Sequence, residues 1–376
     1  MRIVVKTLFG LEDVLAQEVK ELGGKDIDVS KRAVAFYGNK RLLYKANYCL
    51  RTALRVLQSA YAFKAYNEQE LYEKTRAFRW SAYMTVNQTF AVDSTVFSKN
   101  FTHSKYVALK VKDAIVDHFR KECGERPNVD TENPDVRINV HIAGKDVIIS
   151  FDSSGDSLHK RGYRIRNHKA PINEVLAAGM LKIAGWNKDI PLYDPMCGSG
   201  TILLEAAMMA KNIPAGKFRD KFGFMSWSNF DKELWDEVKA EAEAQIISPK
   251  LQIFGSDILT LAIDIAKESA LTIGLGINDI KLQRKSFERL MPTTKEGMMI
   301  TNPPYGERIT KEDIDAFYKL IGNRWQDAWQ GYTCWMISSN AQAYKHVGLR
   351  ADEKITLFNG ALECEYRKYQ IYKTEE

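Results

Sequence analysis

Apolar residues in the first 60 positions recur in patterns that predict alternating strands and helices. Ile3-Val-Val is a short apolar run typical of a buried strand. Between Gly10 and Gly23 the apolar residues fall at helical spacing, and a glycine pair marks where that helix ends. Ala33-Val-Ala-Phe-Tyr predicts a further strand before a second helix. The predicted order is strand, helix, strand, strand, helix.

From about residue 60 a second α+β segment is predicted. Phe90–Phe97 alternates like a half-buried strand, and Ser104–Cys123 is an amphipathic helix. Val136-Arg-Ile-Asn-Val-His-Ile and Val147-Ile-Ile-Ser-Phe flank a short polar turn, which predicts a hairpin. We expect the strands of this segment to be antiparallel.

After residue 170 the pattern changes to helices that alternate with apolar strands, which is typical of a mainly parallel sheet. Near the end, Asn359-Gly360 lies between two apolar stretches and predicts a hairpin. The predicted domains are therefore 1–60, 61–156 and 157–376. The last of these comprises a linker and an α/β domain.

The charge distribution also changes at about residue 170, where the alternation of helices and apolar strands begins. Residues 1–170 hold 29 Lys and Arg against 20 Asp and Glu, whereas residues 171–376 hold 25 against 28. This asymmetry favours a polyanionic partner for the first half, although a solvated basic face without a partner gives the same counts. No apolar run is long enough to span a bilayer and the start lacks a signal-peptide pattern, so we expect a cytoplasmic protein.

Two further features bear on chemistry. The five cysteines are scattered without a C-x-x-C pair, so we predict free thiols and no metal site. Residues 159–169 concentrate positive charge, and we expect them to contact phosphates: Lys160, Arg161, Arg164, Arg166 and Lys169.

A glycine turn follows a short strand at Asp194-Pro-Met-Cys-Gly-Ser-Gly-Thr. Gly198 and Gly200 allow a sharp turn that a ligand can approach closely, and the next helix would direct free N–H groups at it. The motif is neither G-x-G-x-x-G nor a P-loop. Asp194 at the strand end suits a cationic ligand, such as a sulfonium amino acid, and would repel a pyrophosphate.

A second acid, Asp257, also ends a predicted strand, where a carboxylate can bind ribose hydroxyls or cap the next helix. It lies 63 residues after Asp194, which indicates an insertion at about 211–250. Aromatic and basic side chains in this insertion either form a lip for RNA or pack an inserted helix onto the sheet: Arg219, Phe222, Phe224 and Trp227.

Asn302-Pro303-Pro304-Tyr305 follows an apolar strand. The two prolines enforce a rigid exit from the sheet. The Asn302 side-chain oxygen and the Pro303 carbonyl can accept hydrogen bonds from an exocyclic amine, and Tyr305 can stack on an extruded base. The motif therefore predicts methylation of a base amine.

The glycine turn and the Asn-Pro-Pro-Tyr motif resemble those of class I methyltransferases that act on exocyclic amines. Leu158-His-Lys-Arg-Gly-Tyr-Arg, Ala170-Pro-Ile-Asn-Glu-Val and Phe358-Asn-Gly-Ala-Leu-Glu-Cys are similar to bacterial THUMP-domain RNA guanine-N2 methyltransferases, the RlmL type acting on 23S ribosomal RNA. The resemblance implies ferredoxin-like and THUMP domains before a Rossmann-like domain whose seven-stranded sheet has an antiparallel last strand. It also implies S-adenosylmethionine as the donor, without a metal, and RNA or an assembling ribosome as the partner.

By this resemblance, residues from several strand ends would bind the donor: Asp194, Pro195, Cys197, Gly198, Ser199, Gly200, Thr201, Asp257, Ile258, Ser286, Phe287 and Asn302. Ser286 stands where the family usually has an acid for the adenine amine, so we expect Phe287 and backbone groups to recognise adenine. A tRNA guanine-N2 methyltransferase, a DNA adenine-N6 methyltransferase and a non-catalytic RNA-binding factor are the alternatives.

Overall fold

The computed structural model describes residues 1–166, 172–304 and 311–373, without the side chains of 311 and 312. The chain forms two compact units. The first comprises Met1–Lys6, Ala16–Leu158 and Arg219–Ala240, and the second comprises the intervening segments and the C-terminal part. No helix in the described ranges is long and apolar enough to cross a membrane.

The N-terminal elements follow the predicted order closely. They are β1 (Arg2–Lys6), α1 (Glu12–Glu21), β2 (Lys25–Ser30), β3 (Ala33–Tyr37), α2 (Lys40–Cys49), β4 (Arg55–Lys64), α3 (Glu68–Ala77), β5 (Phe90–Phe97), α4 (Ser104–Cys123), β6 (Val136–Ala143) and β7 (Asp146–Asp152). The predicted helix at 104–123 and the β6–β7 hairpin are confirmed. Gly124 ends α4 in the left-handed conformation at φ 78°.

The strands of the first unit form one sheet of order β2-β3-β1-β4-β7-β6-β5 in the described residues. Alternate residues of β6 (Val136, Ile138, Val140 and Ile142) are fully buried, because successive side chains of a strand point to opposite faces. The domain boundary predicted at residue 60 falls inside β4, which pairs with β1 on one side and with β7 on the other. The two N-terminal segments therefore share a continuous sheet.

One strand orientation was predicted wrongly. β5 pairs with β6 in parallel, from Phe90 with Val136 to Phe97 with Ala143. A parallel pair requires a long crossover connection, and α4 provides it between these two strands. The strand-helix-strand order of the sequence contained this signal, whereas alternation alone does not indicate direction.

The inserted segment packs differently from either expectation. The preceding aromatics and its helix α7 (Lys232–Glu243), as far as Ala240, belong to the first unit. Phe224 stacks on Tyr44 of α2 at 4.3 Å between ring centroids, and Trp235 of α7 meets Tyr48 edge-on at 5.2 Å. Of the two alternatives, the RNA lip is excluded for Phe222, Phe224 and Trp227, because these side chains are buried. Phe222 and Phe224 contact α2, and the Trp227 ring meets Phe151 of β7 at 6.0 Å between centroids.

The elements of the second unit are α5 (Glu174–Ile183), β8 (Leu192–Asp194), α6 (Thr201–Ala210), β9 (Ile253–Asp257), α8 (Thr260–Ile273), β10 (Ile280–Arg284), β11 (Gly297–Thr301), α9 (Lys311–Ala328), β12 (Tyr332–Ser338), β13 (Glu353–Asn359) and β14 (Leu362–Gln370). Their strands are ordered β10-β9-β8-β11-β12-β14-β13. Neighbouring strands from β10 to β12 are parallel, and β14 is antiparallel to β12. The predicted sheet with an antiparallel last strand is confirmed.

Candidate active site

Three neighbouring strands of the second sheet end in the predicted site residues. β9 ends at Asp257, β8 at Asp194 and β11 at Thr301, directly before Asn302. Since these strands lie side by side and parallel, their carboxyl ends meet at one edge of the sheet. This is where ligand sites form in open α/β sheets.

The turn after β8 requires its glycines. Gly198 has a φ of 52° and Gly200 a φ of 79°, values that L side chains rarely adopt. A Cβ on Gly200 would lie 3.0 Å from the Cβ of Ala266, whereas a Cβ on Gly198 would meet no atom within 4 Å among the described residues. Pro195, Cys197, Ser199 and Thr201 are buried around this turn. The backbone of Gly198 is therefore the part of the turn that faces open space.

Asp194 is 2% exposed, and its Oδ1 accepts hydrogen bonds from the Thr301 hydroxyl at 2.9 Å and from the Met196 N–H at 3.3 Å. Burial raises the pKa of this carboxyl to about 7, and the nearby charge of Asp257 adds to the rise. A cationic ligand group close to Asp194 would stabilise its ionised form.

Asp257 forms a hydrogen bond with the backbone of the glycine turn. Its Oδ2 accepts a 3.0 Å hydrogen bond from the Gly198 N–H, and its Oδ1 accepts from the Leu259 N–H at 2.9 Å. The second bond is part of a local turn before α8, whose N-cap residue is Leu259, so Asp257 does not cap the helix. Each carboxylate oxygen has further acceptor capacity. The next residue, Ile258, is 61% exposed and offers an apolar surface beside the turn.

Asn302 has an unusual environment for an amide. Its Oδ1 is inaccessible to solvent and has no hydrogen-bond partner among residues 1–166, 172–304 and 311–373. A buried acceptor without a donor costs about 1–3 kcal/mol, and a functional role is one of the explanations for such a group. Pro303 is buried and Pro304 half-buried next to it, whereas Tyr305 lies outside the described residues.

The predicted adenine pocket is only partly supported. Ser286 is half-buried after β10. Phe287 is 3% exposed, and its ring lies in the core with Trp329, at 6.3 Å between centroids. The Phe287 ring therefore packs in the core, and only the backbone at this position can contact a ligand.

Three of the arginines predicted to contact phosphates or RNA are engaged with protein groups: Arg161, Arg164 and Arg219. Arg161 is 2% exposed, and its guanidinium pairs with Glu205 of α6, which also accepts from the Tyr163 hydroxyl at 3.1 Å. Arg164 contacts Glu174, and Arg219 donates to the carbonyls of Ser154, Asp156 and Ser157 within the first unit.

The contact predicted for Arg161 is wrong because the residue is buried, and Arg164 and Arg219 are engaged with protein groups. Lys160 and Arg166 are exposed, with Arg166 paired to Glu268. Lys169 lies outside the described residues. The described residues contain no group of three or more His, Cys, Asp or Glu that could hold a metal ion, and the five cysteines form no disulfide.

Comparison with known proteins agrees with this arrangement. A model of the RMKL-like methyltransferase domain matches residues 161–368, a THUMP model matches 65–152, and a model of the RlmL ferredoxin-like domain matches 2–57. The chain is 40% identical over 365 residues to a putative RNA methyltransferase of Synechocystis, covering 96% of this chain and 95% of that protein.

Two solved structures share the whole fold. The first, SMU.472, a putative methyltransferase complexed with SAH, has a TM-score of 0.87 and 28% identity over 100% of this chain and 99% of the other. The second, a predicted N6-adenine-specific DNA methylase from Listeria monocytogenes, has a TM-score of 0.88 and 30% identity over 98% and 96%. The chain therefore belongs to the RlmL-type family of RMKL-like methyltransferases, with ferredoxin-like and THUMP modules before the catalytic domain.

Proposed function

We propose that this protein transfers the methyl group of S-adenosylmethionine to the exocyclic N2 amine of a guanosine in 23S ribosomal RNA. The Oδ1 of Asn302, which has no partner among residues 1–166, 172–304 and 311–373 and lies next to the ends of β8 and β9, carries this proposal. An amine is the donor that this buried acceptor lacks. The basic first half, the THUMP module and the relative named as an RNA methyltransferase support RNA as the polymer.

The residues at the three strand ends fit the donor. Asp194 offers a buried carboxylate to a cationic group, Asp257 a carboxylate to the ribose, and Gly198 an open backbone. When bound, S-adenosylmethionine supplies a methyl group activated by the sulfonium. A relative of this chain, SMU.472, was crystallised with SAH. No metal is part of the proposal.

The chain's own residues would act by positioning. The Asn302 Oδ1 and the Pro303 carbonyl would accept from the two N–H groups of the amine and orient its nitrogen, while Tyr305 would stack on the base. The amine can lose its proton during or after transfer, so no strong base is needed. The exposed Lys160 and Arg166, together with Lys169, would contact phosphates.

The test is nucleoside mass spectrometry of digested 23S RNA, tRNA and DNA from a strain that lacks the protein. Loss of N2-methylguanosine from 23S RNA supports the proposal, and purified protein should restore it in vitro on RNA or on an assembling particle. Loss from tRNA instead would identify a tRNA enzyme. Loss of N6-methyladenine from DNA, the substrate in the name of the Listeria relative, would overturn the proposal, as would no change in any pool. An RNA substrate implies the cytoplasmic location expected from the sequence.

A further inference from the structure

Arg164 reaches from the basic segment to the two hydroxyl residues that flank Gly200. Its Nη1 donates to the Ser199 Oγ at 3.3 Å, and its Nη2 donates to the Thr201 Oγ1 at 3.0 Å. The side chain is 14% exposed. A guanidinium presents its donors in a rigid fork, so it can hold two separate acceptors in a fixed geometry.

Glu174, in the first turn of α5, forms an ion pair with this guanidinium. Its Oε1 accepts from the Arg164 Nε at 3.0 Å and lies 2.8 Å from the Nη2. Glu174 is itself 6% exposed, and α5 starts at a firm cap, where the Asn173 Oδ1 accepts from the Val175 N–H at 2.9 Å. Glu174 of α5 therefore sets the position of Arg164. The other two hydrogen bonds of the guanidinium are with Ser199 and Thr201, at the start of α6.

These contacts fix the turn that the donor would meet. Asp257 holds the Gly198 N–H, and Arg164 holds the hydroxyls of Ser199 and Thr201. A turn with two glycines at positive φ has many accessible backbone conformations when unrestrained. Fixing one of them before a ligand arrives lowers the ordering cost of binding.

We propose that Arg164 is a positioning residue for the donor, which together with Glu174 pre-organises the glycine turn at 195–200. This inference rests on the proposed function of that turn in binding S-adenosylmethionine. It replaces the phosphate contact that the composition of the segment suggested for Arg164. The two roles differ in which ligand loses affinity when the guanidinium is removed.

The test compares Arg164→Gln and Arg164→Lys with the wild-type protein. We expect Arg164→Gln to weaken SAH binding in calorimetry by about tenfold to a hundredfold, the range for losing charge-assisted hydrogen bonds. Arg164→Lys retains the charge and one donor and should recover part of that loss. In steady state the KM for the donor should rise, while the KM for RNA and kcat change little. Amide exchange of residues 195–201 should quicken in Arg164→Gln without ligand.

A second variant tests the same contacts from the acceptor side, in case Arg164→Gln does not fold. Ser199→Ala combined with Thr201→Val removes the two acceptors and leaves the Arg164–Glu174 pair intact, and it should weaken SAH binding similarly. Lys217→Gln is the matched control, because Lys217 forms a partly buried ion pair with Glu243 in the same unit. The control should bind SAH as the wild type does.

Three outcomes separate the possibilities. If folded Arg164→Gln binds SAH like the wild type, the positioning role is overturned. If it binds SAH normally but binds RNA more weakly, Arg164 is an RNA contact. If the wild-type protein itself binds no SAH, the proposed function of the turn fails, whatever the variants do.

Discussion

The hydroxyl of Thr301 donates a 2.9 Å hydrogen bond to the Oδ1 of Asp194, and this bond joins the carboxyl end of β11 to that of β8. Both residues are buried, so the bond is shielded from water. It connects the acid proposed to face the donor with the residue that directly precedes Asn302. This side-chain contact therefore adds to the backbone pairing of β8 and β11 in holding the two parts of the site in register.

Removal of this contact gives the first prediction. Thr301→Val keeps the shape of the side chain but removes the donor to a buried carboxyl, which should cost about 1–3 kcal/mol in the free energy of unfolding. The pKa of Asp194 should also rise, because its ionised form loses a hydrogen bond. Urea unfolding measures the loss of stability, and its repetition at several pH values measures the change in the pKa of Asp194. Thr301→Ser keeps the hydroxyl, and a loss as large in this variant would contradict the argument.

The raised pKa of Asp194 predicts a pH dependence of stability. The folded pKa of about 7 lies above the ordinary value of 3.8, so the folded state binds the proton more tightly than the unfolded state. The resulting stability is complete below about pH 4 and is lost as pH rises through 7, by up to about 4 kcal/mol. Asp194→Asn stays neutral and should lack this term.

The measurement is urea unfolding at pH 5.5 and 8.5 in the absence of ligand. The free energy of unfolding of Asp194→Asn, relative to wild type, should rise between the two values. Equal differences at both pH values would show that Asp194 does not titrate in this range.

The two glycines of the turn should respond differently to alanine. Gly200→Ala meets both a positive φ and the close Cβ of Ala266, so it should destabilise the fold by more than about 1–2 kcal/mol. Gly198→Ala meets only the backbone strain, but its methyl group would point into the space proposed for the donor. It should therefore lose SAH affinity more than stability.

Gly274→Ala is the matched control for backbone strain, since Gly274 has a φ of 81° and open space around its Cβ position. Thermal denaturation and SAH calorimetry on the three variants provide the comparison. An unchanged SAH affinity in Gly198→Ala would place the donor elsewhere.

The buried pair of Arg161 and Glu205 predicts a folding defect and not an RNA-binding defect. Arg161→Gln leaves the carboxylate buried without its cation, which should cost about 3–5 kcal/mol. The double variant Arg161→Met with Glu205→Gln should recover much of this stability. Chemical denaturation and RNA filter binding are the measurements. A stable Arg161→Gln protein that binds RNA weakly would restore the original prediction for this residue.

Asn302 is expected to matter for transfer and not for donor binding. Asn302→Ala removes the acceptor for the amine, so kcat should fall by about a hundredfold or more, as when a group that orients reacting atoms is removed. SAH calorimetry should stay near the wild-type value. Because Oδ1 is unpartnered in the described structure, the variant should also be at least as stable as the wild type. Retained turnover would exclude Asn302 from catalysis.

The sequence by itself determined the secondary structure and the donor motifs. Periods of two and 3.6 are local properties, so β6, β7 and α4 could be assigned from them, and Asn359-Gly360 identified the β13–β14 hairpin. The glycines of the turn were recognisable because a positive φ favours glycine. The strand-end acids and the proposed amine-binding motif were recognised from their charge and from the resemblance to class I methyltransferases.

Tertiary structure alone decided which polar groups are buried and with what. Arg161 and Arg166 are five residues apart in one basic segment, yet one is buried against Glu205 and the other is exposed beside Glu268. The aromatics of the insertion found their partners in Tyr44 and Tyr48, nearly 200 residues earlier. Charge and apolar composition indicate what a side chain can do, but its partners are chosen by long-range packing, which no local period encodes.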